Sequence, residues 1–315
     1  MHGVAGRGGG KTFHRGIMLG VMLLENPQNW IDTHVHADAP ELGLIGISGS
    51  INESALESFR AANAQANLQM GVIPAVERAN WLTVQHLAHR LQWAYALGIH
   101  PLYTANAAMA DVEALDGVIA QQQSDRLLVA VGEIGLDLFV PALKTQAALA
   151  KQEALYRAQL KLGRKHSMPV VLHVRRSADL LLKHLRQIDV PGGIAHAFNG
   201  SEVQAKALID RGFKLGFGGA MTYTAATQLR HLAATLPLNA IVLETDSPDI
   251  PPHWLYTPAA LRVQGHTQPP NTPSQMCRIA QTLADLRGMP LAELAHATRA
   301  NALQALPKLA GLLGD

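Results

Sequence analysis

Two histidines separated by one residue, His34 and His36, end the short apolar segment WIDTHVH at residues 30–36. In a β-strand, residues i and i+2 point to the same face, so the two imidazoles can aim at one point in space. Imidazole is also the commonest metal-binding side chain in proteins. The pair is therefore either half of a metal site or simply two histidines at a strand end, and its spacing alone leaves both interpretations open.

Side chains able to bind a metal also follow other apolar segments of the chain. They are His100 in LGIHP, Glu133 and Asp137 in VGEIGLD, His173 in VVLHVRRS, His196 in IAHAFNGS, and Glu244 and Asp246 in VLETDSPD. Each of them alone can be explained by a hydrogen bond to a loop or by a helix cap. Together they would form a costly cluster of desolvated polar groups unless cations compensate them. The set therefore predicts a centre for two divalent ions, and imidazole and carboxylate without sulfur suit Mg²⁺, Mn²⁺, Zn²⁺ or iron.

Eight apolar segments predict the β-strands that must carry these side chains, at residues 30–34, 70–75, 94–99, 127–133, 169–173, 193–196, 213–216 and 240–244. Amphipathic segments predict helices at residues 54–67, 81–91, 112–122, 146–165, 178–186, 202–210, 225–233, 274–286 and 291–305. Alternating strands and helices indicate parallel βαβ units, and eight units predict a (β/α)8 TIM barrel, with a doubly wound open sheet as the alternative. The active site of such a barrel lies at the C-terminal ends of the strands, where the polar side chains fall.

Composition limits the possible functions. The chain has 315 residues, 48% of them hydrophobic and 16% charged, and a formal net charge of +2. A nearly neutral molecule does not attract nucleic acid as a whole, so a nucleic-acid substrate would have to be held locally. Cys277 is the only cysteine and cannot form a disulfide within the chain, which indicates a reducing compartment such as the cytoplasm. No apolar run approaches the roughly 18 residues that a membrane span needs.

The first residues differ from the rest of the chain. We expect residues 1–29 to be a disordered leader or an upstream extension, and residues 30–315 to form a single TIM-barrel hydrolase domain. The segment GRGGGKT at residues 6–12 is similar to a phosphate loop, but that motif follows a strand and no strand pattern precedes it here. The apolar run after it is not followed by the small-x-small cleavage site of a secretory signal.

Six motifs occur in one order along the chain: IDTHVHAD, GIHP, GEIGLDL, LHVRRS, HAFNGS and ETDSPDIPP, followed by PNTPS. This set resembles the TatD-type metal-dependent deoxyribonucleases, which belong to the amidohydrolase-like barrels. The resemblance covers nearly everything from Trp30 onward, and the middle of the chain is most similar to the bacterial YjjV-like branch. The motifs are specific for the family but not for its substrate.

The resemblance implies a role for individual residues. His34 and His36 match the ligands of one metal, and His173 and His196 match the ligands of a second. Glu133 matches the carboxylate that bridges both ions. Asp246, after the eighth strand, matches the residue that binds the first metal and orients or deprotonates the attacking water. Glu133 and Asp246 are thus the predicted catalytic residues.

Further positions are predicted to contact the substrate or support the ligands. His100 matches a residue that contacts phosphate or donates a proton, or else orients a ligand. Arg175 is expected to hold a phosphate, whereas its neighbour Arg176 is expected to be a solvated surface charge. Asp32 is a candidate partner of the ligands. The chain departs from the family pattern at Val174 and at Asn199, which leaves the ligands intact but affects the expected substrate contacts.

Residues 250–271 form a long loop that carries Trp254, Tyr256 and Arg262. Two interpretations of this loop are open. Either the loop is a lid on which a nucleobase stacks, or its aromatic side chains pin the loop to the barrel.

The resemblance implies a two-metal phosphodiesterase that acts on DNA, single-stranded or at 3′ ends, and removes nucleotides from the 3′ end. We expect a cytoplasmic monomer without a membrane partner. One alternative is an amide or ester hydrolase such as an aminoacyl-tRNA deacylase, and another is a scaffold with structural metals. Small-amide enzymes of the superfamily often have a carboxylated lysine after the fourth strand, so Glu133 favours the nuclease. The complete ligand set argues against a scaffold.

Overall fold

The computed structural model describes residues 28–46 and 49–314 of the chain. The phosphate-loop-like segment and nearly all of the predicted leader lie outside the described residues. Within the described part, no helix is both long enough and apolar enough to cross a membrane.

Eight parallel strands form one sheet in the order in which they occur in the chain. They are β1 (Trp30–Asp32), β2 (Leu68–Pro74), β3 (Ala94–Leu97), β4 (Leu128–Asp137), β5 (Val170–Arg175), β6 (Gly193–His196), β7 (Phe213–Phe217) and β8 (Ile241–Leu243). The chain after β1 then pairs with the chain around β8, because the N–H of Thr33 donates to the carbonyl of Leu243 at 3.1 Å and the N–H of Asp246 donates to that of His34 at 3.0 Å. The predicted (β/α)8 barrel is confirmed, and the open doubly wound sheet is wrong.

Among the described residues, seven helices occupy the connections between the strands, and four more follow the last strand. They are α1 (Glu53–Gln65), α2 (Trp81–Leu91), α3 (Met109–Gln121), α4 (Gln146–Lys165), α5 (Ala178–Leu185), α6 (Glu202–Ile209), α7 (Thr227–Thr235), α8 (Ala259–Val263), α9 (Met276–Arg287), α10 (Leu291–Ala305) and α11 (Ala310–Leu313). Strands β3, β4, β6 and β8 are buried along their whole length. This is expected when helices cover the outside of a barrel whose interior is filled with side chains.

Helix α4 fixes the backbone next to two predicted site residues. The amide of buried Gln159 accepts from the N–H of Ile99 at 2.7 Å and donates to its carbonyl at 3.1 Å, just before His100. Gln152, two turns earlier, accepts from the N–H of Asp137 at 2.9 Å. Because the pairing of β3 with β4 ends at Leu97 and Val131, the two glutamines satisfy polar atoms that burial would otherwise leave unpaired.

Strand β4 is longer than the sequence suggested. It was expected to end at Glu133, with Asp137 in a following turn, but it continues through Asp137. Two glycines allow this extension against β5: a Cβ at Gly132 would lie 2.7 Å from Cβ of Val171, and one at Gly135 would lie 2.3 Å from the carbonyl oxygen of His173. Glu133 and Asp137 consequently end up on one strand beside β5.

The predicted long loop at residues 250–271 contains the short helix α8 and is tied to the barrel by Trp254. The indole N–H of Trp254 donates to the side chain of Gln275 at 2.8 Å, and the guanidinium of Arg278 lies 4.0 Å from the centre of the indole ring. Trp254 therefore has the pinning role. Tyr256, by contrast, is 45% exposed.

Candidate metal centre

The six predicted ligands converge at the C-terminal ends of the strands, around the carboxylate of Glu133. Its Oε2 lies 3.1 Å from Nε2 of His34 and 3.6 Å from Nε2 of His36. Its Oε1 lies 2.8 Å from Nδ1 of His173 and 3.9 Å from Nε2 of His196. A single buried carboxylate thus faces four imidazoles, as a bridging ligand would.

Asp246 completes one side of this cluster. Its Oδ1 lies 3.7 Å from Nε2 of both His34 and His36, and 3.8 Å from Nε2 of His196. The two Nε2 atoms of His34 and His36 are 3.3 Å apart, which shows that the i, i+2 pair does aim at one point. Donor atoms of His34, His36 and Asp246 all lie within 4.8 Å of one another.

The histidines divide between two halves of the site. His196 groups with His34 and Glu133, and its ring stacks on that of His34 at a centroid distance of 3.6 Å. His173 groups with Glu133 and His100, although the register of β5 and β6 pairs it with His196. The assignment of His173 and His196 to one and the same ion stays a prediction.

The chemistry of the cluster fits divalent cations. Oε2 of Glu133 is buried, and no described residue forms a well-directed hydrogen bond to it, although Nε2 of His34 lies 3.1 Å away. A buried carboxylate oxygen without a donor is costly, and a cation between the carboxylate and the imidazoles would compensate it. Imidazole nitrogen together with carboxylate oxygen is a donor set that Zn²⁺, Mn²⁺ and similar ions accept.

Burial and neighbouring charges shift the pKa values of the ligands. Burial lowers the pKa of His34 well below its usual value, so its imidazole is neutral, the form that binds metals. Burial alone would raise the pKa of Glu133, but the imidazoles of His100, His34 and His196 hold it well below the usual range. Burial would lower the pKa of His196, yet the carboxylates of Glu244, Asp246 and Glu133 raise it to about 10. Metal binding at His196 must therefore release a proton.

Asp137 orients the imidazole of His173. Its Oδ2 accepts from Nε2 of His173 at 3.1 Å, and its Oδ1 accepts from the N–H groups of Phe139 at 2.8 Å and Val140 at 3.0 Å. Burial alone would raise the pKa of Asp137, but these hydrogen bonds lower it to about 2. With its Nε2 proton held by Asp137, His173 presents the lone pair of Nδ1 to the site.

Glu244 does the same for His196. Its Oε1 lies 3.1 Å from Nδ1 of His196 and accepts from the N–H of Ala197 at 2.6 Å. Room for this carboxylate comes from Gly216, where a Cβ would lie 2.1 Å from Oε2 of Glu244. Glu244 and Asp137 were predicted only as members of the set of metal-competent side chains, and the resemblance assigned no individual role to either residue. The available signal was their spacing, since Glu244 lies two residues before Asp246, and Asp137 lies four after Glu133.

Asp32 supports the ligands through the backbone rather than through an imidazole. Its Oδ1 accepts from the N–H groups of His34 at 3.2 Å and Thr245 at 2.9 Å, and its Oδ2 accepts from the hydroxyl of Thr245 at 2.5 Å. Burial raises the pKa of Asp32 to about 7. The carboxyl group joins the end of β1 to the end of β8 directly beneath His34 and Asp246.

His100 lies inside the cluster, with Nε2 3.3 Å from Oε1 of Glu133 and 2.9 Å from Nδ1 of His173. Its Nδ1 accepts from the N–H of Leu102 at 3.1 Å, so Nδ1 carries no proton. Burial lowers the pKa of His100 to about 4, and the neutral ring must therefore carry its proton on Nε2. His100 is thus a hydrogen-bond donor directed at Glu133 and His173, with which it also forms a group of side chains that could hold a metal ion. Its contact to phosphate stays a prediction.

Arg175 and Arg176 stand together at the mouth of the site. Their guanidinium groups lie 4.0 Å and 4.8 Å from the centre of the Phe139 ring, and Nη1 of Arg175 is 3.8 Å from Oδ2 of Asp137. Both arginines and Phe139 line a cleft of about 950 Å³ that also contains the metal-ligand cluster. Arg176, expected to be a solvated surface charge, is exposed and also belongs to the cleft wall.

Both the sequence and the fold are similar to those of known proteins. The family model described as TatD related DNase matches residues 31–307. The chain belongs to the TatD family. A TatD-type relative in Escherichia coli strain K12, the uncharacterized metal-dependent hydrolase YjjV, is 37% identical over 270 residues, which cover 85% of this chain and 94% of YjjV. An uncharacterized metal-dependent hydrolase of Haemophilus influenzae is 33% identical over 279 residues, which cover 88% of this chain and 98% of the relative.

The crystal structure of Escherichia coli YjjV, a TatD homolog, matches the fold with a TM-score of 0.76 and 35% sequence identity. The match covers 88% of this chain and 98% of the YjjV chain. The resemblance to the TatD family and to its YjjV-like branch is thereby confirmed.

Replacing Glu244 with glutamine is expected to weaken metal binding about 10- to 100-fold, the usual effect of removing a carboxylate that orients a ligating histidine. Glutamine keeps the size of the side chain but removes the negative charge that faces Nδ1 of His196. Titration of metal-depleted protein with Mn²⁺ or Zn²⁺ measures the change. Glu113→Gln, on the exposed face of α3, is the matched control. Equal affinities in the two variants would show that Glu244 does not position His196.

Proposed function

We propose that this chain is a deoxyribonuclease that uses divalent metal ions to remove nucleotides from the 3′ end of DNA. The general activity, that of a metal-dependent hydrolase of the TatD family, is supported by the family match and by the names of the relatives. DNA as the substrate is supported by the family description and by the chemistry of the cleft wall.

The observation that carries the proposal is the arginine pair beside the ligand cluster. Arg175 and Arg176 extend the cleft with two guanidinium groups, and Phe139 between them is 43% exposed. Guanidinium groups bind phosphate oxygens bidentately, and the Phe139 ring that both of them cover holds them at the cleft wall. A polyanionic substrate therefore fits this wall better than a small neutral amide.

The opposite wall is acidic. Asp38, Glu41 and Asp249 line the cleft, and Glu77 lies nearby; we call these four residues the acidic arc. They follow β1, β2 and β8, whereas Arg175 ends β5, across the barrel. A strand that crossed the cleft completely would place phosphates against these carboxylates. The asymmetry favours a strand that ends inside the cleft, which supports exonuclease action.

When bound, divalent ions would polarise the phosphate, lower the pKa of water and stabilise the leaving oxygen. Asp246 is the residue of the chain that can orient a water and accept its proton, since its side chain is 11% exposed in the cleft and 3.7 Å from the nearest imidazole nitrogens. His100 can donate its Nε2 proton in a hydrogen bond to a phosphoryl oxygen. Arg175 and Arg176 hold the neighbouring phosphate.

Arg175→Ala is expected to raise KM for a single-stranded oligonucleotide roughly 10-fold or more at low salt, because a charge-assisted contact to phosphate contributes about 1.5–3 kcal/mol. The loss should shrink as salt is added, and the slope of log affinity against log salt should fall by about 1. Arg126→Ala removes an exposed arginine that precedes β4, at the other end of the barrel, and is the control. An unchanged KM and an unchanged salt slope would show that Arg175 does not bind phosphate.

The acidic arc also favours a second candidate, an ester hydrolase that acts on aminoacyl-tRNA. Its carboxylates could bind the α-ammonium group of the aminoacyl ester, while the arginines hold the terminal phosphate. Rates on a single-stranded oligonucleotide and on aminoacyl-tRNA, measured with one metal-loaded preparation, decide between the candidates. Faster release of the amino acid than of nucleotides would reject the nuclease.

A further inference from the structure

We propose that a side pocket between the chains following β7 and β8 binds a nucleobase of the substrate, which stacks on Tyr256. This inference rests on the proposed function, because it assigns the base of a nucleotide whose phosphate lies at the metal centre. The sequence left open whether the loop at residues 250–271 pins itself to the barrel or presents an aromatic surface. The structure divides these roles between Trp254 and Tyr256.

The side pocket adjoins the main cleft. It has a volume of about 460 Å³, which lies in the range of ligand-binding pockets. Ala220 and Ile250 line both the side pocket and the main cleft, so the two cavities are adjacent. The base of a nucleotide whose phosphate lies at the metal centre is therefore placed next to the main cleft.

Two tyrosines form the aromatic part of its wall. The rings of Tyr223 and Tyr256 are 6.0 Å apart and nearly perpendicular, at 78°. The hydroxyl of Tyr223 donates to the carbonyl of Pro251 at 2.9 Å, which fixes this ring against the loop. Gln268 closes the loop behind Tyr256, since its side chain accepts from the N–H of Thr257 at 2.9 Å. Tyr256 itself is not needed to anchor the loop, because Trp254 does so.

The side pocket also carries a cation. The guanidinium of Arg262 lies 5.8 Å from the centre of the Tyr256 ring, lines the pocket and is exposed. Within residues 28–46 and 49–314, no carboxylate forms a salt bridge with Arg262. An exposed aromatic ring can stack on a base, and the unneutralised cation beside it can bind the phosphate of the same nucleotide. A purely apolar ligand would make no contact that needs the cation.

The test uses a short single-stranded oligonucleotide with 2-aminopurine at its 3′-terminal position and phosphorothioate linkages that resist hydrolysis. Binding to the metal-loaded wild-type protein should quench the fluorescence, because the base stacks on Tyr256. Tyr256→Ala should weaken binding roughly 5- to 150-fold, as expected for the loss of one stacked base, while Tyr256→Phe should retain it. An abasic 3′ residue should weaken wild-type binding by a similar factor and remove the difference between wild type and Tyr256→Ala.

The outcomes separate this inference from the proposed function. Equal affinity of wild type and Tyr256→Ala, or full additivity of Tyr256→Ala with the abasic residue, would overturn the base pocket even if the protein hydrolyses DNA. Quenching that depends on Tyr256, together with no hydrolysis of the unmodified oligonucleotide, would support the pocket and reject the nuclease. Leu82→Ala, which removes an exposed apolar side chain outside the cleft, should bind like wild type.

Discussion

We expect the double variant His34→Ala, His36→Ala to lose tight metal binding, with an affinity more than about 100-fold lower than that of the wild type. Removing a residue that only supports a ligand costs at most about this factor. The reason is geometric. The two Nε2 atoms lie 3.3 Å apart and face both Glu133 and Asp246, so the double variant removes half of the donors on this side of the site. Elemental mass spectrometry after dialysis, followed by metal titration, measures the loss.

Folding must be separated from metal binding in this experiment. The side chain of His34 is fully buried, and its removal leaves a cavity, whereas that of His36 is 18% exposed. His36→Ala alone should therefore keep the stability of the wild type while still lowering metal content. His231→Ala, which removes an exposed histidine on α7, is the control. Wild-type metal content in the double variant would show that the paired histidines do not bind metal.

The second large effect is expected for Asp246→Asn. The asparagine keeps the shape of the side chain and one oxygen toward His34 and His36, so the bound metal should be largely retained. It cannot accept a proton from water, and the loss of a general base lowers the rate typically 10²–10⁴-fold. Single-turnover hydrolysis of a single-stranded oligonucleotide gives the rate, and elemental mass spectrometry gives the metal content of the same sample.

Asp189→Asn is the matched control for this substitution, because Asp189 is exposed and precedes β6 at the end of the barrel remote from the site. It should retain both metal and turnover. If Asp246→Asn retained the wild-type rate, another residue would have to orient and deprotonate the water. If it lost the metal as completely as the histidine variants, the rate could not be assigned to the missing base.

Much of the barrel was predictable because apolar segments and helical segments alternate strictly along the chain. The convergence of Glu133 on four histidines was also predictable, since the C-terminal ends of parallel strands meet on one face. The extension of β4 to Asp137 was not, because it depends on how closely Gly132 and Gly135 allow β5 to approach. The sequence of either strand alone does not predict how closely the two strands approach each other.

Other features depend on contacts between residues far apart in the chain. The protonation of His100 follows from the N–H of Leu102, and a sequence motif does not show where that group points. Asp32 was predicted to support the ligands, but its bonds to Thr245 join residues 213 positions apart. The side pocket likewise requires Tyr223 and Tyr256 to meet across two separate loops.

Metal-dependent shortening of DNA tests the proposed function most directly. Protein stripped with a chelator is incubated with a single-stranded oligonucleotide labelled at its 5′ end, and Mg²⁺, Mn²⁺ or Zn²⁺ is then restored separately. We expect no products before metal is added, and afterwards a ladder of labelled products that shorten one nucleotide at a time from the 3′ end. Shortening that persists in excess chelator, or an intact oligonucleotide with every metal, would contradict the proposal.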